Sequence, residues 1–250
     1  MKKNIALGLA AIFVLLGGFL FYFGTRPLPA KAPGTTSSPV ASSGAYSEHA
    51  KYYDITAQYA SSTPLAASAN TAALALMQGF VGATIAQFKT AGNFANLTPA
   101  DVSMIDGRME TLDIVYLIAS SPHTISYIFT IYEDMLGAHG NTSFHTFTFD
   151  TRSGAPLSLA DVFTPGTPYL DTLSLISRAR LPGVIGTSAD MSFIKPGTAP
   201  LAQNFEDFFF DNKDFVILFA PYHVAPYVAG PQTLRIPISE LASILKSEYR

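Results

Sequence analysis

Three stretches of alternating residues restrict this chain more than any other feature. Leu112 to Ala119, Ile125 to Glu133 and Phe144 to Asp150 follow one another with short connections. In the second, Ile125, Tyr127, Phe129 and Ile131 fall on one face, and Thr124, Ser126, Thr130 and Tyr132 on the other. Period-two alternation marks strands, and short polar or glycine-bearing turns join antiparallel neighbours. A β-meander is therefore expected, with one apolar face and one wet face.

Other elements surround it. Tyr52 to Ala60 alternates and reads as a strand. Leu74, Met77, Val81, Ile85 and Phe88 recur at helical spacing, which predicts a helix from an Asn70 cap to about Thr90, its stripe packed on a sheet. Gly79 and Gly82 weaken that helix by roughly 1 kcal/mol each and suggest a closely approaching neighbour. Ala91 to Asp101 reads as a loop, and Ser158 to Phe163 as a capped helical turn. Pro168 to Leu181 reads as a helix, and Pro182 to Pro200 as irregular. Phe205 to Phe210 and Phe215 to Ala220 form a hairpin about Asp211-Asn212-Lys213-Asp214. Leu234 to Ile238 is a last strand, followed by a helix capped by Ser239. The expected fold class is α+β: one antiparallel sheet with helices 70–90 and 168–181 on one face.

The N-terminus predicts a location. Ile5 to Phe23 is nineteen residues without a charge, preceded by Lys2 and Lys3. About 20 apolar residues span a bilayer as a helix. This predicts a membrane anchor over 1–24 with its N-terminus in the cytoplasm. The alternative is a cleaved signal peptide, but its apolar region is usually shorter and Pro33 follows the best small-residue site. Residues 25–47, rich in Pro, Ala, Gly, Ser and Thr, read as a flexible tether to a domain at 48–250 outside the cytoplasm.

Charge and composition exclude several functions. All 18 acidic residues lie after residue 46 together with 11 basic ones, a net of −7. That disfavours nucleic acid and suits a cationic partner. With no cysteine, disulfides, thiolate zinc sites and cysteine nucleophiles are excluded.

The most specific short signal is Gly137-Ala138-His139-Gly140-Asn141-Thr142. His139 has three readings: a turn residue bonded to backbone, a ligand contact, or a general base. The flanking glycines suit positive φ. His139 and His145 with Glu133 and Asp134 match no known metal spacing, so no metal and no cofactor is expected. Tyr222, His223 and Tyr227 lie in a proline-stiffened loop. They either contact a sugar ring or protein partner, or pack over the sheet edge. The candidate ligand-binding residues are thus His139, Asn141, Tyr222, His223 and Tyr227.

Two motif blocks carry a resemblance. One is the turn at 137–142 with Phe147-Thr148-Phe149-Asp150, Gly154 and Leu157-Ser158-Leu159-Ala160-Asp161-Val162-Phe163. The other is Asn204-Phe205 with its hairpin, Pro221-Tyr222-His223-Val224-Ala225-Pro226-Tyr227-Val228-Ala229-Gly230 and Ile236-Pro237-Ile238-Ser239-Glu240-Leu241. Together they resemble the extracytoplasmic domain of the lysozyme-sensing anti-sigma factor RsiV. They are also similar to the non-catalytic N-terminal domain of the peptidoglycan deacetylase PdaC. The resemblance implies an α+β envelope module that binds or senses a lysozyme-like protein or peptidoglycan. The departures are that the anti-sigma factors' sigma-binding segment and the deacetylase's catalytic domain have no counterpart here, and that His223 stands where an acidic residue is common. The rival reading is a cell-wall hydrolase using His139 with Glu133 or Asp134.

Overall fold

The computed structural model describes residues 43–250. The expected anchor and tether up to residue 42 lie outside the described residues. The sheet begins earlier than composition suggests. Ser43–His49 is strand β1 and pairs antiparallel with β2, Tyr53–Ala60. The last five residues expected in the tether are therefore edge strand. Backbone pairing needs no apolar side chain, which is why a Ser-Gly-Ala composition hid it.

A crossover follows. Helix α1, Ala67–Gly92, and helix α2, Pro99–Ile105, connect β2 to β3, Glu110–Ser120. β2 and β3 pair in parallel. A parallel pair requires such a long connection. β4, Thr124–Asp134, and β5, Asn141–Asp150, complete the expected meander, and the order is β1-β2-β3-β4-β5.

The helical stripe packs as predicted. Met77, Val81 and Phe88 bury against Ile55, Leu112, Ile114, Tyr127 and Phe129. Each large apolar side chain so buried contributes roughly 1.5–3 kcal/mol. α1 starts at Ala67, not at Asn70. Asn70 lies inside the helix, and its Oδ1 accepts from the backbone N–H and hydroxyl of Thr63. An added Cβ at Gly79 or Gly82 meets nothing within 4 Å among the described residues, so none of these approaches closely there.

The remaining strands make a second sheet, not an extension of the first. β6, Phe208–Asp211, β7, Asp214–Phe219, and β8, Gln232–Pro237, pair antiparallel in that order. On one face Phe208, Phe210, Phe215, Ile217, Phe219, Leu234 and Ile236 meet Leu173 and Leu181 of a long helix, and Leu159 and Val162 of α3, Leu159–Val162. That long helix is α4, Tyr169–Ile185. α3 begins with the expected cap: Ser158 and Asp161 exchange side-chain and backbone hydrogen bonds. The stretch expected to be irregular contains the end of α4 and α5, Met191–Gly197. Asp190 caps α5 by accepting from the Ser192 N–H. The last helix, α6, is a single turn at Ile238–Leu241.

The two sheets stack. Ile128 of β4 packs with Phe209 of β6 and with Val216 and Leu218 of β7. The expected wet face of β4 is therefore largely an interior seam, with Thr124 and Ser126 fully buried. Ser126 donates to the Thr148 hydroxyl at 2.9 Å, and Thr148 donates to the Phe208 carbonyl at 3.2 Å. These small hydroxyls satisfy one another and so tolerate burial. β7 is covered on both faces, which accounts for its unbroken run Phe215-Val216-Ile217-Leu218-Phe219. The architecture is α+β with two stacked sheets, α1 on the outside of the first and α4 on the outside of the second.

Candidate functional site

Stacking places the β4–β5 turn of one sheet beside the long β7–β8 connection of the other. His139 comes from the turn. Tyr222 and Tyr227 come from the connection. The rings of His139 and Tyr227 stack with centroids 3.7 Å apart and planes inclined by 20°. His139 Nδ1 donates to the Gly140 carbonyl at 2.9 Å. A carbonyl only accepts, so Nδ1 carries the proton, and Nε2 of the neutral ring accepts from the Tyr222 hydroxyl at 3.1 Å. The Tyr227 hydroxyl donates to the same Gly140 carbonyl at 2.7 Å. Tyr222 and Tyr227 lie 5.4 Å apart, centroid to centroid.

The backbone is specialised here, at positions other than those expected. Neither Gly137 nor Gly140 has positive φ. Leu136 takes it, at 58°, and Tyr222 at 68°. Asp134 holds the turn by accepting from the Leu136 N–H at 2.8 Å. Gly140 is needed for space, since a Cβ would stand 2.2 Å from the Tyr132 hydroxyl oxygen. A non-glycine residue at φ near 68° costs of order 1 kcal/mol or more. The Tyr222 ring that this conformation presents is 52% exposed. Tyr132 and Tyr227 have raised pKa values, chiefly through desolvation, with Asp134 adding to both. Both phenols therefore stay neutral donors at physiological pH.

Two predicted site residues stand elsewhere. Asn141 is exposed at the start of β5, opposite Glu133 in register. His223 is turned away from the cluster. It packs edge-on against Phe219 with centroids 5.3 Å apart, and its Nε2 donates to Asn204 Oδ1 at 3.3 Å. Burial lowers its pKa. A Cβ on Gly197 would lie 2.0 Å from the His223 carbonyl oxygen, so His223 ties the loop to α5. The expected pairing of His139 with Glu133 or Asp134 is not made in this geometry. Both nitrogens of His139 are engaged by Gly140 and Tyr222, leaving neither Glu133 nor Asp134 to orient the ring. His145 is a half-buried residue whose ring stacks on Phe80 with centroids 4.5 Å apart. Among the described residues no group of three His, Asp or Glu is placed to hold a metal ion. Asp211 and Asp214 are bridged by Arg235 across the hairpin turn.

Two contributors escaped the sequence reading: Tyr132 and the Gly140 carbonyl. The available signal was an aromatic residue on the polar side of β4.

Residues 160–239 match the model of a protein family of unknown function, DUF3298. This stretch includes Tyr222 and Tyr227 and excludes His139. Over 143 residues the chain is 35% identical to the peptidoglycan-N-acetylmuramic acid deacetylase PdaC of Bacillus subtilis, covering 57% of this chain and 31% of that protein. Over 118 residues it is 25% identical to the esterase Rv3036c of Mycobacterium tuberculosis, covering 47% of this chain and 51% of that protein. The chain thus spans between about a third and a half of the length of these relatives. A crystal structure of a DUF3298 family member from Bacteroides fragilis shares the fold with a TM-score of 0.60 at 16% identity, over 83% of this chain and 94% of that one. The resemblance to PdaC read from the turn and hairpin motifs is thereby borne out, and the chain is a relative of PdaC that carries a DUF3298 match at 160–239.

Proposed function

We propose that the chain is a membrane-anchored binding module of the bacterial cell envelope, with its domain outside the cytoplasm. The His139–Tyr222–Tyr227 cluster receives a cell-wall glycan. One observation carries this reading. Tyr222 is held at φ 68° with its hydroxyl fixed by His139 while about half of its ring faces solvent. A strained residue that presents an immobilised aromatic face is preorganised for contact, and a fixed ring loses little entropy when a sugar stacks on it. The relationship to a peptidoglycan deacetylase supports the choice of ligand class. The net charge of −7 after residue 46 favours a second partner, a basic lysozyme-like protein.

The test is co-sedimentation of the full chain with purified peptidoglycan, followed by analysis of the soluble products. Binding without product supports the module. Product that disappears in His139→Ala would replace it with the hydrolase reading.

A further inference from the structure

The exposed aromatic surface does not end at Tyr222. Tyr132, on β4, stands over the turn: a Cβ on Gly140 would meet its hydroxyl oxygen at 2.2 Å and its ring carbons at 2.4 and 2.7 Å. The carbonyl of that same Gly140 holds His139 and Tyr227. Tyr132 therefore adjoins the stacked pair, and it is 39% exposed. Its hydroxyl bonds no protein group among the described residues. It offers solvent part of an apolar ring together with a hydroxyl free to donate or accept.

A strip of open sheet continues from it. Tyr132 pairs with Asp113 of β3, and alternation puts Val115 and Leu117 on the same face. Leu117 lies opposite Ile128 in register, yet Leu117 is 71% exposed and Ile128 6%. The second sheet covers Ile128 through Phe209, Val216 and Leu218 and stops short of Val115 and Leu117. Asp113, and Thr130 opposite Val115, set polar groups among the apolar ones. From Asp113 to Leu117 the strip runs about 13 Å along β3, at ~3.3 Å per residue, which exceeds one sugar ring. Three partly exposed side chains fall well short of the roughly 800 Å² that each partner gives to a stable protein interface. Apolar side chains interspersed with hydroxyl and carboxylate groups instead match a sugar chain, whose C–H faces are bounded by hydroxyls. On the glycan reading of the cluster, on which this step rests, we infer that the ligand is an extended glycan of several units. Tyr222 takes one sugar, Tyr132 the next, and the strip through Val115 and Leu117 those beyond. Tyr132 and Leu117 thereby set a preference for chain length.

The experiment is calorimetric titration of the full chain with the disaccharide of N-acetylglucosamine and N-acetylmuramic acid, and with the tetrasaccharide of two such units. Wild type, Leu117→Arg and Tyr132→Phe are compared. Leu117 is a surface residue, so the first variant leaves the core intact. The second keeps the ring and removes only the hydroxyl. The tetrasaccharide should bind wild type at least about tenfold more tightly than the disaccharide, a preference reduced to about twofold or less in Leu117→Arg. Tyr132→Phe should weaken the tetrasaccharide at least about threefold. Equal affinity of wild type for the two sugars, or an unchanged preference in both variants, would overturn the inference and leave the cluster a glycan site. If neither sugar binds but the chain still sediments with peptidoglycan, the inference alone falls. If sedimentation fails as well, the glycan reading falls with it. Lysozyme binding that Leu117→Arg abolishes would assign the strip to a protein and likewise overturn the inference.

Discussion

His139 and Tyr227 lie face to face, 3.7 Å between ring centroids, and both donate a hydrogen bond to the carbonyl of Gly140. One backbone oxygen therefore joins the turn of the first sheet to the long connection of the second. Tyr227→Phe keeps the stack and removes one of the two bonds. A loss of about 0.5–1.5 kcal/mol in denaturant unfolding is expected. His139→Ala removes the stack and its bonds to Gly140 and Tyr222, so a larger loss, about 1–3 kcal/mol, is expected.

Gly140 tests the packing of the same turn. A methyl group there would meet the Tyr132 oxygen at 2.2 Å. Gly140→Ala should destabilise by about 1–3 kcal/mol. Adding Tyr132→Ala removes the opposing oxygen together with the ring carbons that would stand 2.4 and 2.7 Å away, and should recover part of that loss. A double-mutant cycle with no coupling would refute the contact.

Gly79 and Gly82 sit in the interior of α1 with open space where a Cβ would go. Alanine at each position should stabilise by about 0.5–1 kcal/mol, and the pair additively, seen as a higher Tm. A decrease would mean that another molecule approaches this face.

Asp207 predicts a pH dependence. Its Oδ1 accepts from the backbone N–H of Thr146 on the edge of β5, and burial, with Glu206 adjoining, raises its pKa to about 7 from 3.8. The folded state thus binds a proton that the unfolded state has released between those values. The contribution is full below about pH 4 and is lost as pH rises through 7. Asp207→Asn keeps an acceptor for Thr146 without the charge. Relative to wild type it should gain stability progressively from pH 5 to pH 8. A constant difference across that range would contradict the assignment.

Much of the fold was legible because strand alternation and helical spacing report burial directly. The meander, α1, the capped turn at Ser158 and the hairpin at 211–214 all came from that signal. The second sheet did not. Thr124 and Ser126 look solvent-facing from their chemistry, yet they are buried because Phe209, Val216 and Leu218 arrive from 80 or so residues downstream. β1 was hidden because its side chains are mostly exposed and only its backbone pairs. Of the five candidate site residues, the structure brings His139, Tyr222 and Tyr227 together, while Asn141 and His223 lie apart. Adjacent residues in an irregular loop point in different directions, and the positive φ of Tyr222 turns the chain between them.

The central claim is that Tyr222 presents a binding surface. Its direct test is the affinity of the full chain for soluble peptidoglycan fragments and for lysozyme, in wild type and in Tyr222→Asn. Asparagine tolerates the left-handed backbone, so the variant removes the ring and spares the turn. The account predicts binding of the fragments by wild type, at least about tenfold weaker in the variant, with the ligand recovered intact. Equal affinity in the two proteins, or recovery of cleaved fragments, would contradict it.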